Sequence, residues 1–245
     1  NIGDQLLAQT ADAGVDVNHV LQEDDYHTGA YLAVLEDDGS LSVALDDVSV
    51  MQTITSGYLY RLRRLFRDAS MVMMDGSLSP DAMNTVARLA GQYNLPLCAD
   101  PSSSRLAYKL RPFLSHLHLV VPNEMEAAEL LQMDFMRPDP DASLHMARSL
   151  VQAGVGTAVL TLSNFGLSYA TSDEVGNLPA SYAHIVDNTG TGDAVTAAIM
   201  FGMVNQLPTI EAIRLGAAAA SLTVQTNETV VRDLSLDMLY DHLIV

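Results

Sequence analysis

One lysine, Lys109, and one cysteine, Cys98, occur in a chain of 245 residues. The lone cysteine excludes an intramolecular disulfide and any zinc site that needs two thiolates. It lies in the apolar run Leu95-Pro96-Leu97-Cys98-Ala99 and reads as a buried structural thiol. The lone lysine excludes a Walker A loop, whose lysine follows its last glycine, because Lys109 follows Tyr108. Protein-kinase motifs, which need a strand lysine, are absent as well. Positive charge is scarce altogether: 12 Lys and Arg face 30 Asp and Glu, a formal net charge of −18. A surface of that sign repels phosphate backbones, so no nucleic-acid partner is expected, and a polyphosphate would need local donors and a metal to bind. No apolar run approaches the roughly 18 residues of a membrane span. The longest, Ala194 to Val204, is broken by Thr196 and Gly202, and no basic-then-apolar leader opens the sequence. A cytoplasmic protein with no membrane partner is the expectation.

Hydrophobic residues make up 49% and charged residues 17%. That composition supports a sizeable core, in one large domain or two small ones. Asn1 to Val17 reads as a helix ending at Gly14. Thr28 to Leu35 and Leu41 to Leu45 read as strands joined through Asp37-Asp38-Gly39, a hairpin signal. From Met71 onward strands and helices alternate. Strands are expected at Met71–Met74, Leu95–Ala99, His116–Val121 and Thr157–Leu162; helices at Asp81–Gln92, Arg105–Leu114, Glu124–Leu131 and Ala142–Ala153. Three consecutive helices follow: Gly190–Met203, Ile210–Thr223 and Leu234–Leu243. This is the pattern of βαβ units on a parallel sheet, whose ligands sit at the carboxyl ends of the strands.

Chemistry concentrates in the loops at those ends. Asp187-Asn188-Thr189-Gly190-Thr191-Gly192-Asp193 precedes an alanine-rich helix. Its glycines and helix N-terminus make an anion hole, and Asp193 beside it suits a base that takes a hydroxyl proton. A glycine turn with Asp193 as an ordinary helix-start carboxylate explains the same residues. A dinucleotide fingerprint fails, because Val195 stands where a third glycine is needed. Asn123 and Glu126 have capping-box spacing, or else orient Mg²⁺ on a polyphosphate from a strand end. Asp100-Pro101-Ser102 is either an N-cap for the helix from Arg105 or a ligand contact. His116 and His118 share a strand face but lack a third ligand nearby, and neither HExxH nor EF-hand spacing nor a nucleophile elbow occurs.

Taken together these segments resemble the ribokinase-like (PfkB) family of carbohydrate and nucleoside kinases, across essentially the whole chain. Asp187 to Asp193 matches the family's Asp-x-Thr-Gly-x-Gly-Asp signature, Asn123 to Glu126 its Asn-x-x-Glu motif, and Thr161 to Gly166 its nucleotide loop. The resemblance implies an α/β fold: a three-layer α/β/α sandwich with a mostly parallel sheet and a small β-hairpin lid, at about residues 26–47 of a single domain. It implies ATP, Mg²⁺ and K⁺. Asp193 would be the catalytic base, with the amides of Gly190, Thr191 and Gly192 as the anion hole. Asn123 and Glu126 would hold magnesium through water as well as the nucleotide phosphates, while Thr161, Gly166 and Asn227 line the nucleotide pocket. Asp187 and Thr189 would bind the monovalent cation.

Within the family the sequence most resembles pseudouridine kinases, through Thr28 to Val34, Val43 to Asp47, Asp75 to Ser79, Asp100 to Ser102 and Thr229 to Leu236. Thr28, Tyr31, Asp75 and Asp100 would then meet the acceptor, and pseudouridine 5′-phosphate would be the product. Ribokinase, another sugar or nucleoside kinase, and a non-catalytic nucleotide or sugar binder are the other readings. A homodimer through the lid is the expected assembly. Three positions depart from the pattern: Thr191 replaces a small Ala or Ser, Ser163 the first glycine of the nucleotide loop, and Ser77 an asparagine. The family's first strand and sugar-gripping glycine segment are also missing ahead of Asn1, and a longer natural N-terminus is expected.

Overall fold

The computed structural model describes residues 2–35, 41–135, 137–162, 166–180 and 185–243. Strands β1 (Ala30–Leu35) and β2 (Leu41–Asp47) form an antiparallel pair that stands apart from the main sheet. The Asp37-Asp38-Gly39 turn expected between them lies outside the described residues. Helix α1 (Ile2–Asp12) precedes this pair and buries none of its residues. Short helices α2 (Ser56–Arg61) and α3 (Arg63–Asp68), which the sequence reading did not anticipate, lead into the sheet.

The main sheet runs in sequence order: β3 (Val72–Asp75), β4 (Leu97–Asp100), β5 (Leu117–Val120), β6 (Thr157–Thr161), β7 (Leu167–Ala170) and β8 (Val175–Leu178). The first four strands pair in parallel and the last two add on antiparallel. Helices α4 (Pro80–Gln92), α5 (Ser104–Ala107), α6 (Glu124–Leu131) and α7 (Pro140–Gln152) make the crossovers. Three more follow the sheet: α8 (Thr191–Val204), α9 (Thr209–Thr223) and α10 (Leu236–Asp241).

Period-two alternation in the strands sorts the core into two layers. Ala99, Val120, Ala158 and Leu160 pack with Met83, Leu89, Ala127, Met146 and Leu150 of α4, α6 and α7. Their strand neighbours Cys98, Leu119, Val121 and Val159 pack with Val195, Ile199 and Ile213 of α8 and α9. Strands covered on both faces read as continuous apolar runs, which is why these segments showed no polar face. The result is the expected α/β/α sandwich. Cys98 is fully buried, and burial pushes its thiol up to about 12, as suits a structural cysteine.

Two local expectations need revision. Arg105–Leu114 is not one helix: α5 ends at Ala107 and a 3-10 segment, Tyr108–His116, carries Pro112, whose ring and missing N–H disfavour a regular α-helix there. His116 therefore ends that segment instead of sharing a strand face with His118. Among the described residues, no group of three or more His, Cys, Asp or Glu is placed to hold a metal unaided.

Candidate active site

Strands β3 and β4 end in register on two carboxylates, Asp75 opposite Asp100. Each side chain bends back onto its own loop. Asp75 Oδ1 accepts the Ser77 amide at 2.6 Å and also the Ser77 hydroxyl. Asp100 Oδ1 accepts the Ser102 amide at 2.7 Å, an Asx turn that lets Ser102 take a φ of 64°. Asp100 is thus not the N-cap of α5; that position is Ser103. Between the two ends, Gly76 donates its amide to the Asp100 carbonyl at 2.9 Å. A Cβ on Gly76 would stand 2.2 Å from the Pro101 carbonyl oxygen, so only glycine lets the loops cross this closely.

The junction from β5 into α6 supplies an amide and a third carboxylate. Asn123 bridges to Thr161, and the Thr161 amide donates to the Pro122 carbonyl at 3.0 Å. Both halves of the capping box form: the Glu126 amide donates to Asn123 Oδ1 at 2.9 Å, and the Asn123 amide to Glu126 Oε2 at 2.8 Å. The capping box expected from the spacing is therefore real, and it leaves Asn123 Nδ2 and Glu126 Oε1 outside it. Beyond Thr161, Gly166 holds a φ of +96° with its Cβ position 2.0 Å from the Leu178 carbonyl oxygen. Ser163, within that loop, lies outside the described residues.

The fourth carboxylate, Asp193, comes from the first turn of α8, on the other face of the sheet. Asp187 Oδ1 accepts the Thr189 amide at 2.8 Å and shapes the approach to α8. Gly190 is the N-cap, with a φ of +80° and its Cβ position 2.0 Å from the Thr229 carbonyl oxygen. The loop after α9, which also carries the exposed Asn227, is thereby pressed against the start of α8. Nothing lies within 4 Å of a Cβ built on Gly192, so open space faces the first turn of α8 next to Asp193. Thr191 Oγ1 is buried without a hydrogen-bond partner among the described residues.

Electrostatics ties these groups into one cluster. Burial, aided by the charges of Asp193 and Asp75 and opposed by the Ser102 amide, pushes the Asp100 carboxyl up to about 6. Burial also pushes Glu126 up to about 7, with Asp100 adding to it and the Asn123 amide opposing. Asp193 is raised above the ordinary carboxylate range by burial and then by Asp75. A carboxylate so raised is a stronger base than an ordinary one, while amides at the α8 N-terminus offer an anion site alongside. Glu126 keeps one carboxylate oxygen outside the capping box, and beside it Asn123 completes a polar pair that suits magnesium held through water, with a bound anion supplying the remaining oxygens.

Two cations that the sequence reading did not place here border the cluster. Lys109 Nζ donates to the Gly76 carbonyl at 2.6 Å. Arg105 Nη2 reaches both carboxylate oxygens of Asp46, at 2.9 and 2.7 Å, and so ties β2 to the segment after β4. Asp46 pairs in register with Tyr31. Thr28 and Tyr31 themselves remain exposed. Arg105 lies in α5 and Lys109 in the 3-10 segment after it, so regular helical spacing offered no signal for this placement.

Comparison with known proteins shows the family and the fold. The family described as pfkB family carbohydrate kinase matches residues 1–233. Pseudouridine kinase from Escherichia coli (strain K12) is 28% identical over 235 residues, covering 96% of this chain and 74% of that protein. Guanosine-inosine kinase from Exiguobacterium acetylicum is 24% identical, covering 97% of this chain and 78% of that protein. Among solved structures, ribokinase from Giardia lamblia superposes with a TM-score of 0.82 at 19% identity, covering 99% of this chain and 80% of that one. Arabidopsis thaliana ribokinase complexed with ribose and ATP superposes with a TM-score of 0.69 at 22% identity, covering 88% of this chain and 69% of that one.

Proposed function

This chain belongs to the pfkB family of carbohydrate kinases, and on that premise we propose that it transfers the γ-phosphoryl group of ATP to the 5′-hydroxyl of a nucleoside, with pseudouridine as the acceptor. The observation that carries the reading is the meeting of Asp193, from the glycine-lined start of α8, with Asp75 and Asp100 at the ends of β3 and β4. A base beside an anion hole on one side and polar acceptor contacts on the other is what phosphoryl transfer to an alcohol requires.

In this reading Asp193 takes the proton of the acceptor hydroxyl. The Gly190 and Gly192 amides face the transferring phosphoryl group, and open space at Gly192 gives it room; the Thr191 amide, which donates to the Asn188 carbonyl at 3.3 Å, would have to leave that turn to join them. Asp75 and Asp100 accept hydrogen bonds from the acceptor, with Thr28 and Tyr31 closing from the lid. Thr161, Gly166 and Asn227 border the base and ribose of ATP. Bound magnesium would neutralise charge on the phosphates, held through Asn123 and Glu126; K⁺ would sit by Asp187 and Thr189. Pseudouridine is favoured over other acceptors by the likeness to the Escherichia coli enzyme.

Residues 1–245 belong to a single kinase domain, and its lid forms the contact of a homodimer. In the β1–β2 pair, Leu32 faces Leu45 and Val34 faces Val43, and all four side chains are more than half exposed. A two-stranded pair with an open apolar face is marginal alone, and a second copy of the same face supplies the missing layer.

A coupled ADP-release assay with Mg²⁺ and K⁺, offering pseudouridine, uridine, adenosine and ribose, tests the reading. Turnover with pseudouridine and at most slow turnover with the rest is expected. Preferred turnover of a different acceptor would replace the substrate and keep the kinase; ATP binding with no product from any acceptor would favour a non-catalytic binder.

A further inference from the structure

The reaction as proposed leaves Lys109 without a task, yet its surroundings are specific. It lies in the 3-10 segment that follows α5, partly buried, and its ammonium reaches 33 residues back to the Gly76 carbonyl. Gly76 is already held by its amide bond to the Asp100 carbonyl and by its close crossing of Pro101. Asp75 is held through the Ser77 amide and hydroxyl. Lys109 adds a charged grip on the same turn, and the groups that bear on it are Asp75 from β3 and Arg105 from α5. Every other cation of this chain's 12 is arginine. A compact ammonium fits a single carbonyl in a confined place, whereas a planar guanidinium fork does not.

We infer that Lys109 is a positioning residue for the acceptor: by fixing the Gly76 carbonyl it holds the Asp75 carboxylate where the acceptor hydroxyls meet it. The inference rests on the proposed role of Asp75 as an acceptor contact. Half-burying an ammonium is costly unless a carboxylate and a strong acceptor face it, and Asp75 and Gly76 meet both conditions.

The test uses the full chain with Lys109→Met and Lys109→Arg. Amide hydrogen exchange at residues 76–78 should quicken about tenfold in Lys109→Met, while exchange in β6 stays as in the unaltered protein. The acceptor KM should rise about tenfold or more with the ATP KM within about twofold, and Lys109→Arg, whose planar fork does not fit the site, should recover little of the loss. Unchanged exchange at 76–78, an unchanged acceptor KM, or an equal rise in both KM values overturns the inference. If the unaltered chain turns over no acceptor, the kinase reading fails on its own. The exchange measurement and calorimetric affinity for pseudouridine then decide the role of Lys109, with equal affinity in the unaltered and Lys109→Met chains counting against it.

Discussion

Arg105 and Asp46 stand 59 residues apart in sequence and meet at 2.7 Å, joining the β1–β2 pair to the loop that carries Asp100. Arg105 is 68% exposed, so the pair contributes little to stability; exposed ion pairs are worth about 0–1 kcal/mol. A link this weak can break without unfolding the chain. Arg105→Ala is expected to raise the acceptor KM several-fold and to leave the melting temperature within about 2 °C. Steady-state kinetics with calorimetric melting checks both, and 0.5 M salt should weaken acceptor binding in the unaltered enzyme more than in the variant.

Asp193→Asn should lower kcat by about 10²–10⁴-fold, the range for loss of a positioned general base, with ATP affinity unchanged by calorimetry. Turnover equal to that of the unaltered enzyme would take Asp193 out of the mechanism.

Asp100 holds its proton more tightly in the folded chain, at about 6, than at its ordinary 3.8. Its contribution to stability is therefore fully present below about pH 4 and is lost as pH rises through about 6. Asp100→Asn, which keeps an oxygen for the Ser102 amide, should stabilise the protein at pH 8 by on the order of 2–3 kcal/mol and make no difference near pH 3.5. Denaturant unfolding at the two pH values measures this. A variant less stable at pH 8 would show that the charge is better solvated than its burial implies. Loss of acceptor affinity in the same variant would mark the trade of stability for binding.

Gly190 and Gly192 separate a structural from a chemical role two residues apart. Gly190→Ala meets the Thr229 carbonyl at 2.0 Å and a φ of +80°, and should cost about 2 kcal/mol or more in unfolding experiments. Gly192→Ala meets nothing within 4 Å and should leave the melting temperature unchanged or slightly higher. Its methyl group instead enters the space assigned to the phosphoryl group, so kcat should fall at least about tenfold. Full activity in Gly192→Ala would move the phosphoryl site elsewhere.

The strands Val72–Asp75 and Leu97–Asp100 and the helices Glu124–Leu131 and Thr209–Thr223 were legible in the sequence, because apolar period and turn residues act locally. Asp193, Asn123 and Glu126 were legible too, since glycines and caps mark helix starts with short, recognisable spacings. The antiparallel β7–β8 pair and helices α2 and α3 went unread. Their segments are brief, and their identity depends on the sheet edge and helix they pack against. The sequence by itself determined the βαβ units of the parallel part of the sheet and a glycine turn ahead of an aspartate at a helix start. Tertiary structure alone decided that Asp75, Asp100, Glu126 and Asp193 share one field and that Lys109 and Arg105 border it. Charges couple through space over a few ångströms, and only the packing of four parallel strands against α8 brings residues so far apart in the chain within that range.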